Sequence, residues 1–157
     1  MAYLLARDTV NGSEGKAFIS RNGANMEVAG LRNIHAVASI QNTDMRQVGT
    51  RIVQAKSNGV KQTITGNLYY GSSLFSDMVL EYINTGTMPQ FDIQITNSDP
   101  TTTVGTRVMG YYGCQLTGDI PLSILDSEEA MLNYDFNMTY TRVAKLEDFK
   151  TPDVLGQ

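Results

Sequence analysis

The sequence predicts a mainly β protein of the α+β class, an antiparallel β-sandwich or barrel-like domain with one flanking α-helix, an extended loop and terminal arms. Segments of alternating apolar and polar residues recur along most of the chain, which is the period of half-buried strands. Only residues 74–83 have the period of an amphipathic helix. The chain has 157 residues, 41% of them hydrophobic, which suits a single domain over 1–157 with its own core.

The first part of the chain predicts an arm followed by two strands. Residues 1–13 lack a sustained period and end in a turn-forming Asn-Gly-Ser, so we interpret them as an N-terminal arm. A short strand over 16–20 leads into a tight hairpin, because Asn22 followed by Gly23 accepts the positive φ angles of a type I′ turn. The return strand is long and continues to Ile40 with a bend at Gly30.

The alternation weakens between residues 41 and 59, which predicts a protruding loop or hairpin with little core content. Its apolar residues, Ile52, Val53 and Ala55, indicate that this segment packs against something, and a partner subunit is the natural candidate. Alternation then returns over 63–70 and predicts a half-buried strand that leads into the helix.

The helix over 74–83 carries one apolar stripe and cannot bury it alone, so we expect it to cover one side of the β core. The hydroxyl of Ser72 or Ser73 is expected to cap its first turn, and Gly86 to end it in a left-handed conformation. Further strands are predicted over residues 91–96, 106–116 and 118–125.

The last third of the chain contains the most regular alternation. Residues 132–141 follow an acidic turn at 126–129 and predict a central strand. The tail over 145–157 mixes Leu146, Phe149 and Val154 with charges and Pro152, so we interpret it as a C-terminal arm that docks.

Composition and residue types argue against several functions. Sixteen acidic residues against twelve basic ones give a net charge of −4, which disfavours tight binding to a phosphate backbone but is compatible with letting nucleic acid pass. One cysteine, Cys114, excludes an internal disulfide. The apolar stretch at residues 1–6 is too short for a signal peptide or a membrane helix, and it lacks the basic flank of a signal peptide. We therefore expect cytoplasmic synthesis and no membrane anchor.

The sequence offers poor material for catalysis. His35 is the single histidine and lies mid-strand, where a structural role is favoured. Cys114 lies on the apolar side of its strand, and the acidic turn is most simply a solvated one. No Gly-rich loop could cradle phosphate. We therefore predict no catalytic, cofactor-binding or metal-binding residue, and a self-assembling structural subunit.

Several short motifs occur in an order that is specific to one family. Asn11 to Gly15 opens into an apolar strand, Pro89 precedes Phe91, and residues 105–108 read Gly-Thr-Arg-Val. The middle of the chain supplies the most informative set: Gly49, Arg51, Lys56, Gly59, Thr63, Thr65, Gly66, Leu68, Tyr69, Tyr70 and Ser73. The end of the chain adds Asp126, Ser127, Glu128, Glu147, Asp148 and Phe149. On these residues the chain resembles the tail tube proteins of contractile-tailed bacteriophages and of phage-derived particles from Gram-positive bacteria.

The resemblance implies a subunit of hexameric rings that stack into a hollow tube in the virion tail, after assembly in the host cytoplasm. It implies that the sheets of the subunits join around the ring into an inner barrel, while the arms and the loop over 41–59 bridge neighbouring subunits and rings. The implied partners are further copies of the chain, the tail sheath, tape-measure, baseplate and tail terminator proteins, and DNA that passes without specific binding. The candidate interface residues are Val48, Gly49, Arg51, Ile52, Val53, Ala55, Lys56, Leu146 and Phe149.

Other interpretations remain open at this point. The same subunit would serve a phage-tail-like bacteriocin, a type VI secretion system or another contractile injection system. A different class is a monomeric β-sandwich module that binds carbohydrate or protein, and it predicts a chain that does not polymerise. An enzyme comes last and would depend on His35.

Overall fold

The computed structural model describes residues 5–21, 23–71 and 73–150. The chain begins with a short 3-10 helix at Ala6–Asp8, and one α-helix, α1, spans Leu74–Thr85. The strands are β1 (Gly15–Arg21), β2 (Ala24–Glu27), β3 (Leu31–Met45), β4 (Gln54–Tyr69), β5 (Phe91–Ser98), β6 (Thr106–Thr117), β7 (Asn133–Thr139) and β8 (Arg142–Glu147).

The eight strands form one antiparallel sheet that is not closed. Its order is β2-β1-β5-β6-β7-β4-β3, and β8 pairs with β6 beside this path. The sheet has two layers, one formed by β2, β1, β5 and β8 and the other by β7, β4 and β3. Strand β6 links them, because its first part pairs with β5 and β8 while its last residues pair with β7. Gly113 lies at this transition with a φ of 67°, a conformation that favours glycine. The fold class predicted from the sequence is confirmed.

The core lies between the two layers and beneath the helix. Helix α1 buries Phe75 and Met78, and the Phe75 ring contacts Phe136 of β7 at a centroid distance of 5.0 Å. Fully burying one such apolar side chain stabilises the fold by about 1.5–3 kcal/mol. The remaining core members come from both layers, namely Ile19, Ile64, Leu68, Phe91, Ile93, Tyr111, Cys114, Leu116, Tyr134, Met138 and Tyr140.

The helix ends as predicted, at Gly86 with a φ of 77°, but the predicted hydroxyl cap is wrong at Ser73. The Ser73 hydroxyl makes no capping bond and instead donates to Asp77 at 3.1 Å. Ser72, the other candidate, lies outside the described residues.

Two other segments differ from the sequence prediction. The predicted strand over 118–125 is wrong: the segment is irregular, because Pro121 has no N–H to give to a ladder and Gly118 takes a φ of 72°. Ile120 and Ile124 still pack against the core. The long return strand divides at Gly30, whose φ is 79°, so that β2 pairs with β1 while β3 pairs with β4 at the far end of the strand order.

The predicted arms are partly tied to the sheet. Residues 5–13 contact the loop between β5 and β6, where the Asn11 N–H donates to Asp99 at 2.8 Å and the Thr103 hydroxyl donates to Asp8 at 2.6 Å. The start of the C-terminal segment forms the end of β8 and pairs with β6. Residues 1–4 and 151–157, with Val154, lie outside the described part of the chain, so the bridging role of both arms stays a prediction.

Candidate assembly interface

The hairpin of β3 and β4 extends well beyond the body of the domain. These are the longest strands, of 15 and 16 residues. Strand β7 covers β4 only as far as the pair Thr63–Thr139, so residues 38–45 and 54–62 form a ribbon of two strands. At about 3.3 Å per residue the ribbon projects roughly 26 Å past this last three-stranded level.

Side chains support the strand pairing inside the ribbon. Asn42 accepts a hydrogen bond from the Ser57 hydroxyl at 3.0 Å, and the Asn58 amide donates to the Thr43 hydroxyl at 2.6 Å. A bulge between Gln41 and Asn42 shifts the register. Polar cross-strand pairs of this kind fix the register where no core face does so.

One face of the ribbon continues the apolar stripe of the core. Ala36 pairs with Ile64 inside the domain, and Ile40 pairs with Val60 on the same face further out. Ile40 is 61% exposed and Val60 56% exposed. The alternation in the sequence therefore assigns Ile40 to the correct face of the strand. Ile40 is nevertheless exposed, because the strand extends beyond the core at that position.

The tip of the hairpin, residues 46–53, combines apolar and basic side chains. Val48 is fully exposed and Ile52 is 69% exposed, which is unusual for large aliphatic residues. Arg46 and Arg51 lie beside them, and neither arginine forms an ion pair within the residues that the structure describes. The tip thus presents uncovered apolar surface with a positive charge.

Strand β3 also has a bare edge. It pairs with β4 on one side, and no other strand of the described ranges pairs with its second side. A long open edge presents unpaired N–H and C=O groups, which a strand of another chain can satisfy. Sequence patterning marks β3 as a strand but cannot show that it lies at the edge.

The predicted interface residues fall into two groups. Val48, Gly49, Arg51, Ile52 and Val53 lie in the tip. Ala55 and Lys56 belong to β4, where they pair with Asp44 and Thr43, so the true loop is shorter than the predicted 41–59. The outer parts of that segment are strand because β3 and β4 satisfy each other's backbone groups.

The second group lies on another part of the sheet. Leu146 is on β8 and is exposed, and Phe149 is half-buried with the Arg107 guanidinium 5.9 Å from its ring centroid. Asp148 holds Lys145 at 2.9 Å beside them. Among the described residues, β8 pairs with β6 and not with β3 or β4, so this group does not adjoin the hairpin through strand pairing.

The residues weighed for catalysis lie apart from one another. His35 is exposed on β3, whereas Cys114 is buried in the core, where burial raises the pKa of its thiol to about 12. Such a thiol stays protonated at neutral pH and is a poor nucleophile. Across the described ranges, no three His, Cys, Asp or Glu side chains are grouped so that they could hold a metal ion. The one α-helix in those ranges is too short and too polar to cross a membrane.

Comparison with solved structures places the fold among tail and injection-system assemblies. A chain of the anti-feeding prophage baseplate has a TM-score of 0.65 and 10% sequence identity, with coverage of 90% of this chain and 97% of that one. The SPP1 tail tube gives a TM-score of 0.58 and 8% identity, with coverage of 92% and 81%. The fold is therefore also found in these two assemblies.

Sequence comparison supplies the family. The phage-like element PBSX protein XkdM of Bacillus subtilis (strain 168) is 24% identical over 153 residues, which cover 98% of this chain and 97% of that protein. The family model described as phage tail tube protein matches residues 2–147. This chain belongs to the phage tail tube protein family, and the resemblance seen in its motifs is confirmed.

Proposed function

We propose that six copies of this chain form a ring through their β3–β4 hairpins, and that the rings stack into a hollow tail tube. The tube lies inside a contractile sheath and serves as the conduit for DNA ejection into the host cell. The observation that carries the proposal is the two-stranded ribbon, because an isolated two-stranded hairpin is at best marginally stable in water. A neighbouring subunit would cover its apolar face and pair with its open edge.

The unburied face of the β3–β4–β7 layer supports a channel wall. Its cross-strand sets are mostly uncharged, for example His35 with Thr65 and Thr65 with Asn137. Asp135 is the carboxylate of this face within β7, and it accepts a hydrogen bond from Asn67 at 2.8 Å. Lys61, opposite Ser39, and Arg32, beside Asn67, are cations of this face, and the rest is mostly amides and hydroxyls. Such a wall offers few cations to phosphates, so DNA would slide along it without being held. We assign this face to the lumen.

The proposal includes the remaining parts of a contractile tail. The tape-measure protein fills the lumen during assembly in the host cytoplasm, the baseplate starts the tube, and the tail terminator ends it. The residues that contact neighbouring copies are Val48, Gly49, Arg51, Ile52, Val53, Ala55, Lys56, Leu146 and Phe149. The similarity to a protein of a phage-like element also supports a second possibility, a tail-like particle that uses the same subunit.

Negative-stain electron microscopy over a concentration series, with sedimentation velocity on the same samples, tests the proposal. We expect rings of six copies at intermediate concentration and hollow stacked tubes above it. A chain that sediments as a monomer throughout, with no assemblies on the grids, would contradict the proposal and favour the monomeric binding module.

A further inference from the structure

The two ends of the β3–β4–β7 layer carry opposite charge. At one end lies the hairpin tip, with Arg46 and Arg51 in the loop and Lys56 at the start of β4. Asp44 is the single acidic residue between 44 and 56. The three cations form no ion pair with any described residue, so this end of the layer is positive and available to a partner.

The opposite end carries an acidic turn. Asn133, the first residue of β7, pairs with Tyr69, the last residue of β4, and the Tyr70 N–H donates to the Leu132 carbonyl at 2.8 Å. The segment before β7 therefore lies at the base of the layer, at the other end of the strands from the tip. It contains the exposed carboxylates Asp126, Glu128 and Glu129.

Apolar residues flank the acidic turn just as they flank the basic tip. Leu125 is 99% exposed and Met131 is 68% exposed, on either side of the three carboxylates. Arg32 also lies at this end, but it is engaged by Asn67 at 3.3 Å and by the Tyr69 ring at 5.5 Å. The base thus presents exposed apolar side chains and a negative charge. The apolar side chains can pack against those of the tip, and the negative charge is opposite to the positive charge of the tip.

We propose that the basic tip of one copy, residues 46–53 with Lys56, docks on the acidic turn of the next copy along the tube axis, residues 125–131. This inference rests on the proposed tube function, and it adds the surface that receives the tip and the charge pairing that orients the contact. A contact between different surfaces at opposite ends of a subunit does not close on itself but propagates, as a stack of rings requires. Tip against tip or turn against turn would bring like charges together, so the charges also set one polarity for the whole stack.

A charge-swap experiment tests the pairing. One variant carries Arg46→Glu and Arg51→Glu, a second carries Glu128→Lys and Glu129→Lys, and a third carries all four changes. Each pairwise variant is expected to raise the critical concentration for tubes roughly tenfold or more, because like charges then face each other at every ring junction. The fourfold variant, and an equimolar mixture of the two pairwise variants, should recover tubes because opposite charges meet again.

The control variant carries Lys16→Glu and Arg142→Glu, which changes the net charge as much as the tip variant does but at exposed positions on β1 and β8, outside the tip, the acidic turn and the predicted arms. It should form tubes at the wild-type critical concentration. Circular dichroism and thermal unfolding of the monomers identify any variant that fails to fold, and the salt dependence of wild-type assembly then supplies an independent test. Added salt should raise the wild-type critical concentration, since it screens exposed charges.

The outcomes separate the two proposals. Wild-type protein that never assembles refutes the tube function itself. Wild-type tubes together with normal tubes from both pairwise variants would overturn the axial contact and leave the tube function intact. Tubes whose critical concentration does not depend on salt, or a folded fourfold variant that does not recover, would also overturn it.

Discussion

Replacing Ile40 and Val60 by threonine should weaken assembly while leaving the monomer folded. The two residues face each other across the ribbon and are 61% and 56% exposed in the isolated chain. Threonine is β-branched, so the change keeps the strand propensity of both positions while removing apolar surface. The effect should therefore appear mainly in the contact that covers this face.

The size of the effect follows from the exposed fractions. Full burial of an isoleucine or valine side chain is worth about 1.5–3 kcal/mol, so burial of the exposed half contributes about 0.8–1.5 kcal/mol for each. Threonine keeps one methyl group, so most but not all of both contributions is lost; a loss of about 1–2.5 kcal/mol for each contact corresponds to a roughly 5- to 70-fold weaker association. The critical concentration for assembly should rise by a factor of that order.

The critical concentration is measured by sedimentation over a dilution series, which separates assembled protein from free protein. Ile83→Thr is the matched control, because Ile83 is 62% exposed but lies on α1, away from the ribbon. We expect the control to assemble as the wild type does. Equal critical concentrations for the wild type and the Ile40/Val60 double variant would refute the assignment of this face to a subunit contact.

Three further predictions concern the fold. Gly66→Ala should lower the free energy of unfolding by about 1–3 kcal/mol through overpacking, because the new Cβ would lie 2.6 Å from both the Asn33 carbonyl oxygen and the Phe136 ring; an unchanged urea midpoint would contradict this. The Cys114 thiol, whose pKa burial raises to about 12, should not react with a thiol reagent at mildly alkaline pH until urea unfolds the chain, and prompt labelling of the native protein would show the core to be open. Hydrogen bonds from Thr101 and Asn11 hold the pKa of Asp99 below its ordinary 3.8, so its contribution is present above that pH and is lost as pH falls through the folded-state pKa. Asp99→Asn should accordingly lower the melting temperature at neutral pH and flatten its decline in acid, and an acid profile parallel to that of the wild type would argue against this role.

Local pattern was enough to predict most elements. The strict alternation before Tyr140 gave β7, and β7 does lie between β4 and β6 inside the sheet. The helical period at 74–83 gave α1, with Gly86 at its end. The pattern over 118–125 misled because two isoleucines that pack from an irregular segment produce the same alternation as a strand.

The candidate interface could be predicted only in part. Ile52, Val53 and Ala55 indicate a contact because they are apolar residues in a segment with little core content, and the family motifs include Gly49, Arg51 and Lys56 of the same segment. The exposure of Ile40 and Val60 could not be predicted from the sequence. Alternation shows which face of a strand a residue lies on, but it does not show that β7 ends before it reaches these two residues. The acidic turn gave no signal of its own, because a solvated turn has the same composition.

The sequence by itself determined the β-rich class, the single helix, the family and the site of the protruding hairpin. These depend on short-range periodicity and on residue types, which a chain carries in its linear order. Only the tertiary structure decided that β3 lies at an open edge and that β7 pairs with β4 only as far as Thr63, which leaves the outer part of the hairpin as two strands. It also decided that the basic tip and the acidic turn lie at opposite ends of one layer. Those properties arise from pairings between residues far apart in the chain, since strand order and register are set by the packing of the whole sheet.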